Sequence, residues 1–492
     1  MGSTAPHVAL LASPGMGHLI PMLELGHRLA STFSLRVTVF VVTTDASTAQ
    51  SQINQEYSTY KKVISIVLLE QLDLSSLMDW PTAMLSQIVL IMRHSLRYLR
   101  SAISSMEIRL TALIVDVFGV DAFAVADEFK MLRYVLVTTN AWYLALITYL
   151  PFIDCKNEDD HVRLHQPFNI PGCESVRFED TISAFYNRDD QTLFNDYKRT
   201  GIELGRAHGL LVNTWESLEP KTLRALRDPK TMGRFLESSR IFPIGPVVRP
   251  SQPAKQDVPR NKVLEWLDQQ PAESVLYVSF GSGGTLSADQ LTELAWGLEQ
   301  SSHRFVWVVR PPTKDSASGS FFRLSKKTDK TPEYLPDGFV TRTQDKGLVV
   351  PTWAPQTEVL AHLSVGGFLS HCGWNSILES ILNGVPMIAW PLYAEQKMNA
   401  TMLAEQLGVT VKPEKLPSSG IIRRDEIEAM VRRVMEKDGN EGKQMRIRAH
   451  DLKRTADEAL REGGSSHYML SQMARECECG LEKLDEVRGG LD

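Results

Sequence analysis

The chain reads as an α/β protein of two doubly wound domains, and three features point there. Its 492 residues are more than one hydrophobic core comfortably serves. In both halves, short apolar runs without alternation are followed by amphipathic stretches, the mark of parallel strands covered by helices on both faces. Between the halves lies a polar stretch, 243–261, carrying Pro246, Pro250, Pro253 and Pro259, which has linker composition. The expected division is 1–246, a linker at 247–261, and 262–464, with a final helix over about 465–492 packing back on the first domain.

In the first half, 7–12 is a buried strand, a glycine turn follows, and 19–30 is a helix with Pro21 in its first turn. Further strands are expected at 35–42, 113–117 and 134–137, with a helix over 121–129. In the second half strands are expected at 274–280, 305–310, 348–350, 367–370 and 386–390. Helices fall between them near 289–301, 356–363, 374–383 and 395–407. Ser287 and Gln290 fit a capping box, and Gly384 sits where a helix stops. The stretch 311–336 is rich in Ser, Lys, Asp and Pro and reads as a surface loop. From residue 423 onward the chain is charged and helical. Two such domains facing each other across a cleft is the expected architecture, with ligands at the carboxyl ends of the strands.

Composition narrows the function. With 43% hydrophobic and 23% charged residues the chain is an ordinary globular protein, and its net charge of −6 gives no general attraction to nucleic acid or an anionic membrane. Five cysteines make no disulfide framework, and the Cys477-x-Cys479 pair lacks further metal ligands nearby. No apolar run has the length of a membrane span. A cytosolic monomer is the expectation. No D-x-D cluster stands in the second half. Asp159-Asp160 and Asp189-Asp190 lie in polar stretches, so no metal site is predicted.

The densest chemistry lies at Trp353-Ala354-Pro355-Gln356, His371-Cys372-Gly373-Trp374-Asn375-Ser376, Glu379, and Tyr393-Ala394-Glu395-Gln396. The 367–370 strand ends at His371, and Gly373 allows close backbone approach. Trp374, Asn375 and Ser376 open the next helix, whose free N–H groups and dipole suit a pyrophosphate. Glu379, one turn on, suits the hydroxyls of a ribose. Trp353 offers a flat face to a nucleobase, Gln356 an amide, and Glu395 and Gln396 suit sugar hydroxyls. A second glycine turn, Gly281-Ser282-Gly283-Gly284, also follows a strand. Taken singly, each of these is better explained by core packing, capping or a turn; their order and spacing together carry the reading.

In the first half, His18 follows the first strand at a helix start, where the dipole disfavours imidazolium and keeps the ring neutral, as a base requires. Asp116 ends another strand of the same domain. Parallel topology brings such ends to one sheet edge, where a carboxylate can accept the second ring N–H and stabilise the imidazolium as it forms. His27 and His94 have no comparable partner.

The stretch from Trp353 to Gln396 resembles the signature box of the plant secondary-product UDP-glycosyltransferases, inverting enzymes with the GT-B fold of two Rossmann-like domains. The likeness extends to Ser13-Pro14-Gly15-Met16-Gly17-His18, Val115-Asp116-Val117-Phe118-Gly119, Leu211-Val212-Asn213-Thr214, Trp266-Leu267-Asp268 and 278–284. Within the family it is most similar to the hydroquinone, or arbutin-synthase-like, glucosyltransferases, on the long loop after Pro311 and the 393–400 run. The resemblance implies that Trp353 stacks on uracil and that Gln356 and Glu379 hold the ribose. It places His371, Asn375, Ser376 and Ser282 on the phosphates, and Trp374, Glu395 and Gln396 on the hexose. Gln396 accords with a glucose donor. His18 is implied as general base and Asp116 as its partner, with UDP-glucose a co-substrate and no cofactor.

The implied acceptor is a small phenolic or flavonoid-type molecule. Candidate acceptor or sugar contacts are Gly17, Ile88, Phe118, Thr139, Trp142 (with Tyr143) and Phe152. O-, C- and N-linkage stay open, since proton removal by His18 suits O- and C-transfer alike. A non-catalytic UDP-sugar binder would not need both His18 and Asp116. A nicotinamide oxidoreductase would want G-x-G-x-x-G, and position 20 is Ile20. A UDP-sugar hydrolase or epimerase differs mainly in how water is kept out.

Overall fold

A computed structural model describes residues 5–42, 60, 62–70, 72, 83–153, 155–186, 191–237, 239–250, 261–312, 334–417, 420–436 and 439–489. The linker positions 251–260, the loop over 313–333 and Asp189-Asp190 lie outside the described residues.

Thirteen strands can be followed among the described residues: β1 (His7–Ala12), β2 (Arg36–Val41), β3 (Ser65–Leu68), β4 (Ala112–Asp116), β5 (Leu132–Val137), β6 (Gly209–Val212), β7 (Arg240–Pro243), β8 (Val275–Ser279), β9 (Arg304–Val309), β10 (Gly347–Pro351), β11 (Val365–Ser370), β12 (Met387–Ala389) and β13 (Thr410–Val411). They form two all-parallel sheets, in the orders β3-β2-β1-β4-β5-β6-β7 and β10-β9-β8-β11-β12-β13. The central strands β1, β4, β8 and β11 are buried along their whole length. Apolar surface on both faces is why these segments show no alternation, and only helices on both sides can cover it.

The helices that matter below are α1 (Met16–Phe33), α2 (Met84–Ser104), α3 (Ala141–Tyr149), α4 (Ala288–Ser301), α5 (Trp374–Asn383), α6 (Gln396–Thr401) and α7 (Ser465–Gly489). Contacts divide the chain into two units: Met1–Phe178 with Ala184–Val248 and Glu458–Asp492, and Arg249–Asp457 with Glu179–Ser183. In the first unit α7 packs on β7 and α1. Leu470, Met473, Ala474 and Cys477 join the core there, and the Tyr134 hydroxyl donates to Glu476 at 2.6 Å. In the second unit Trp307 and Trp390 are fully buried within the core beside Phe280 and Phe339. Among the described residues no helix is long and apolar enough to cross a membrane.

Three local expectations need correction. Helix α1 begins at Met16, because Gly15, at φ 104°, turns the chain so that its carbonyl accepts from the His18 and Leu19 amides at 3.1 and 3.0 Å. Pro21 therefore stands in the second turn, and His18 in the first. The helix expected over 121–129 starts earlier as a tight turn, Val117–Ala122, because the Asp116 side chain accepts from the Phe118 amide. The capping box is half made. Ser287 accepts from the Gln290 amide at 3.2 Å, but the Gln290 side chain instead exchanges two hydrogen bonds with the Ile422 backbone, at 2.8 and 3.0 Å. Gly384 does end α5, at φ 69°.

Candidate functional site

Strand order selects the places where a ligand can sit. In the first sheet the chain runs from β1 outward to β3, then returns to place β4 on the other side of β1. In the second sheet β8 and β11 are neighbours in the same way. At such a switch the two connections leave toward opposite faces and open a crevice at the carboxyl ends of the strands. His18 and Asp116 follow β1 and β4; the Gly281 turn and the His371–Ser376 segment follow β8 and β11.

At the first switch, His18 Nδ1 stands 2.9 Å from Asp116 Oδ2. Asp116 is fully buried, and its other oxygen accepts from the Ser13 hydroxyl at 2.9 Å and from the Phe118 amide at 3.1 Å. Three donors thus offset the desolvation of the carboxylate. A carboxylate only accepts, so Nδ1 carries the proton of the neutral ring and Nε2 carries the lone pair. The His18 side chain is 18% exposed, open enough for a substrate hydroxyl to reach. The Phe118 ring meets it edge-on with centroids 5.3 Å apart, and the Thr138 hydroxyl lies 3.4 Å from Nδ1. In the sequence Ser13 stands out only as part of a motif, and Thr138 has no signal that sets it apart from Thr139. Both could have been found by asking what stands directly beyond β1 and β5.

At the second switch, the His371 ring is wedged between two glycines. A Cβ on Gly281 would fall 2.5 Å from its Cε1, and one on Gly373 2.4 Å from its Nε2, so both positions need glycine. Burial and the nearby Arg310 charge lower His371 to about 4, leaving it neutral. Its Nδ1 has no hydrogen-bond partner among the described residues. Helix α5 begins at Trp374, and its N-cap residue, Gly373, offers no side-chain cap. Trp374 is 3% exposed, so only its backbone at the helix start is open to a ligand.

The Gln356 amide donates to Ser376 Oγ at 2.8 Å and to Glu379 Oε2 at 2.6 Å, joining three predicted residues in one polar group. Burial raises the half-buried Glu379 carboxyl to about 7, opposed by that Gln356 hydrogen bond. Trp353 is 56% exposed, an aromatic face left in water beside the buried Ala354. Ser282 is exposed on the glycine turn. Gln396 is 3% exposed, and its Oε1 accepts from the Leu392 and Tyr393 amides at 2.9 and 3.0 Å, bracing the loop after β12. Burial pushes the Tyr393 hydroxyl up to about 12. Asn399, which sequence reasoning missed, donates from Nδ2 to the Cys372 carbonyl at 2.9 Å and to Glu395 at 3.3 Å, tying the loop after β12 to that after β11. Thr352, Cys372 and Ala394 all adopt left-handed backbone, at φ 63°, 63° and 54°, a conformation that costs non-glycine residues about 1–2 kcal/mol each. All three lie on loops beyond strand ends.

The acceptor candidates range from buried to exposed. Phe118 is packed against His18. Gly17 is exposed beside it, with open space where a Cβ would be. Ile88 on α2, Thr139, and Trp142 and Tyr143 on α3 are buried, and the Trp142 indole donates to the Glu174 carbonyl at 3.2 Å. Phe152 is 47% exposed and stacks on Phe235 at 4.6 Å.

Residues 250–452 match the model of the UDP-glucoronosyl and UDP-glucosyl transferase family. UDP-glycosyltransferase 72E1 of Arabidopsis thaliana is 50% identical over 488 residues, covering 98% of this chain and 99% of that protein. Hydroquinone glucosyltransferase of Rauvolfia serpentina is 42% identical over 474 residues, covering 95% and 97%. The crystal structure of TcCGT1 in complex with UDP superposes with a TM-score of 0.89 at 48% identity, covering 97% of this chain and all of that one. Two parallel Rossmann-like sheets, with identity of 42–50% to relatives matched almost end to end, place the chain in the UDP-glucoronosyl and UDP-glucosyl transferase family as a UDP-glycosyltransferase of the GT-B fold.

Proposed function

We propose that this enzyme transfers glucose from UDP-glucose, with inversion, to a hydroxyl of a small phenolic or flavonoid-type acceptor. The observation that carries the reading is the buried Asp116 carboxylate 2.9 Å from His18 Nδ1. Nε2 takes the acceptor proton, and the acceptor oxygen attacks the anomeric carbon. The bond from that carbon to the diphosphate breaks on the opposite face, so configuration inverts, and the bonding pair leaves with UDP. Asp116 stabilises the imidazolium as it forms. Charge growing on the departing diphosphate meets the start of α5, the Gly281–Ser282 turn and His371. Trp353 stacks on uracil, Gln356 and Glu379 take the ribose, and Ser282, His371, Asn375 and Ser376 take the phosphates. Trp374, Glu395 and Gln396 take the hexose. UDP-glucose is a co-substrate, and no cofactor enters this reading. The hydroquinone glucosyltransferase relative supports a phenolic acceptor, and Gln396 supports glucose. A cytosolic monomer accords with the cysteine usage and charge.

The test is a panel of phenols with UDP-glucose, the products weighed by mass spectrometry and their linkage atom and anomeric configuration read by NMR. β-O-glucosides are expected; a C- or N-linked product would move the acceptor atom while leaving the donor reading in place. His18→Ala is expected to lower kcat/KM at least about a thousandfold with UDP affinity kept. An unaltered turnover number in that variant removes His18 from the mechanism.

A further inference from the structure

Arg310 follows β9, the strand lying between β10 and β8 in the second sheet. Its Nη1 donates to the carbonyl of Gly281, beyond β8, and its Nη2 to the carbonyl of Thr352, beyond β10, at 3.2 Å. Gly281 leads into Ser282, and Thr352 holds its left-handed turn one residue before Trp353. A single planar guanidinium therefore fixes the spacing between the glycine turn and the aromatic face. Lysine, a point donor on a flexible stem, cannot do the same.

Among the described residues the charge on this group has no carboxylate counter-ion. Arg424 in the same unit, by contrast, is held by both oxygens of Glu293. Its electrostatic neighbours are Tyr277, Tyr393 and His371, and it helps keep His371 neutral. A half-buried cation ringed by neutral groups is left with an unbalanced desolvation penalty. An anion arriving at the glycine turn would offset it.

We propose that Arg310 is a positioning residue of the donor site, clamping the Gly281 and Trp353 loops and supplying the fixed positive charge that balances a nucleoside diphosphate. This rests on the donor-site reading above. It predicts that Arg310 matters for the phosphates and much less for the nucleoside, because the uracil face is Trp353 and not the guanidinium.

The test is calorimetric titration of the full chain with UDP and, separately, with uridine. In the unaltered protein UDP should bind more tightly than uridine; failure to bind either one would sink the donor-site reading itself, and this proposal with it. Arg310→Gln keeps an N–H donor and removes the charge. It should lower the preference for UDP over uridine about tenfold to a hundredfold, the usual worth of a hydrogen bond to a charged group. Arg310→Lys should keep that preference within about threefold while weakening both ligands. Melting curves without ligand report whether each variant folds, and Arg310→Met serves as the neutral variant should Arg310→Gln not fold. Equal loss of UDP and uridine in the neutral variant, or no loss of either, overturns the proposal, since a mere loop brace would weaken both ligands alike.

Discussion

Replacing Glu379 by glutamine separates the proposed ribose contact of the carboxylate from what it does to the fold. Its side chain is held by the Gln356 amide at 2.6 Å, and burial lifts its carboxyl from 4.5 to about 7. The folded protein therefore holds this proton over a range where the unfolded chain has released it. Between pH 4.5 and 7 the native state binds more protons, so stability falls as pH rises through that window, and the loss is complete above it. A gap of about 2.5 pH units corresponds to about 3 kcal/mol. Glu379 is half-buried, and solvent screening reduces this to about 1–3 kcal/mol. Glutamine has the same shape and no charge, so Glu379→Gln should match the unaltered protein near pH 4.5 and exceed its stability by that amount at pH 8. For a unit of roughly 200 residues this is about 3–10 °C in melting temperature. UDP affinity should fall in the same variant, because a carboxylate accepts two ribose hydroxyls better than an amide does. Melting curves of the ligand-free full chain from pH 4.5 to 8, repeated with UDP, read both effects. A stability difference that stays constant across that range would refute the reasoning, because it would show that the carboxyl does not titrate there.

Two further outcomes follow from the geometry. Asp116→Asn keeps an oxygen for the Ser13 hydroxyl and the Phe118 amide but turns an N–H toward His18, reversing the tautomer so that Nε2 no longer carries the lone pair. Initial rates should fall about 10²–10⁴-fold with UDP affinity unchanged, and a wild-type kcat would break the link between the two residues. Trp353→Ala removes a side chain that is 56% exposed, so ligand-free stability should shift by less than about 0.5 kcal/mol. Loss of one base-stacking face should weaken UDP binding about fivefold to a hundredfold by calorimetry; unchanged binding would move the uracil elsewhere.

Most elements were legible because their signals are local. Runs such as 7–12 and 365–370 are apolar without alternation, and a segment buried on both faces has no other way to be written. Gly384 could be read as a helix stop from its own conformational freedom. The polar residues from Trp353 to Gln396 lie within three consecutive strand-to-loop junctions, so their spacing along the chain already describes most of one cluster. Less was legible where a side chain had several partners within reach. Gln290 looked like half of a capping box, but its amide bonds to Ile422, 132 residues away. Arg310 looked like the end of a strand, since nothing around it in the sequence distinguishes a surface arginine from one that bridges two loops.

By itself the sequence determined the α/β class, the strands and helices, and the identity of the residues that could do chemistry. The order of the strands was decided only in three dimensions. That order sets β1 beside β4 and β8 beside β11, and so brings His18 to Asp116 across 98 residues and the Gly281 turn against His371. Periodicity reports which face of a segment is buried, whereas which strand lies next to which is settled by packing among segments far apart in the chain.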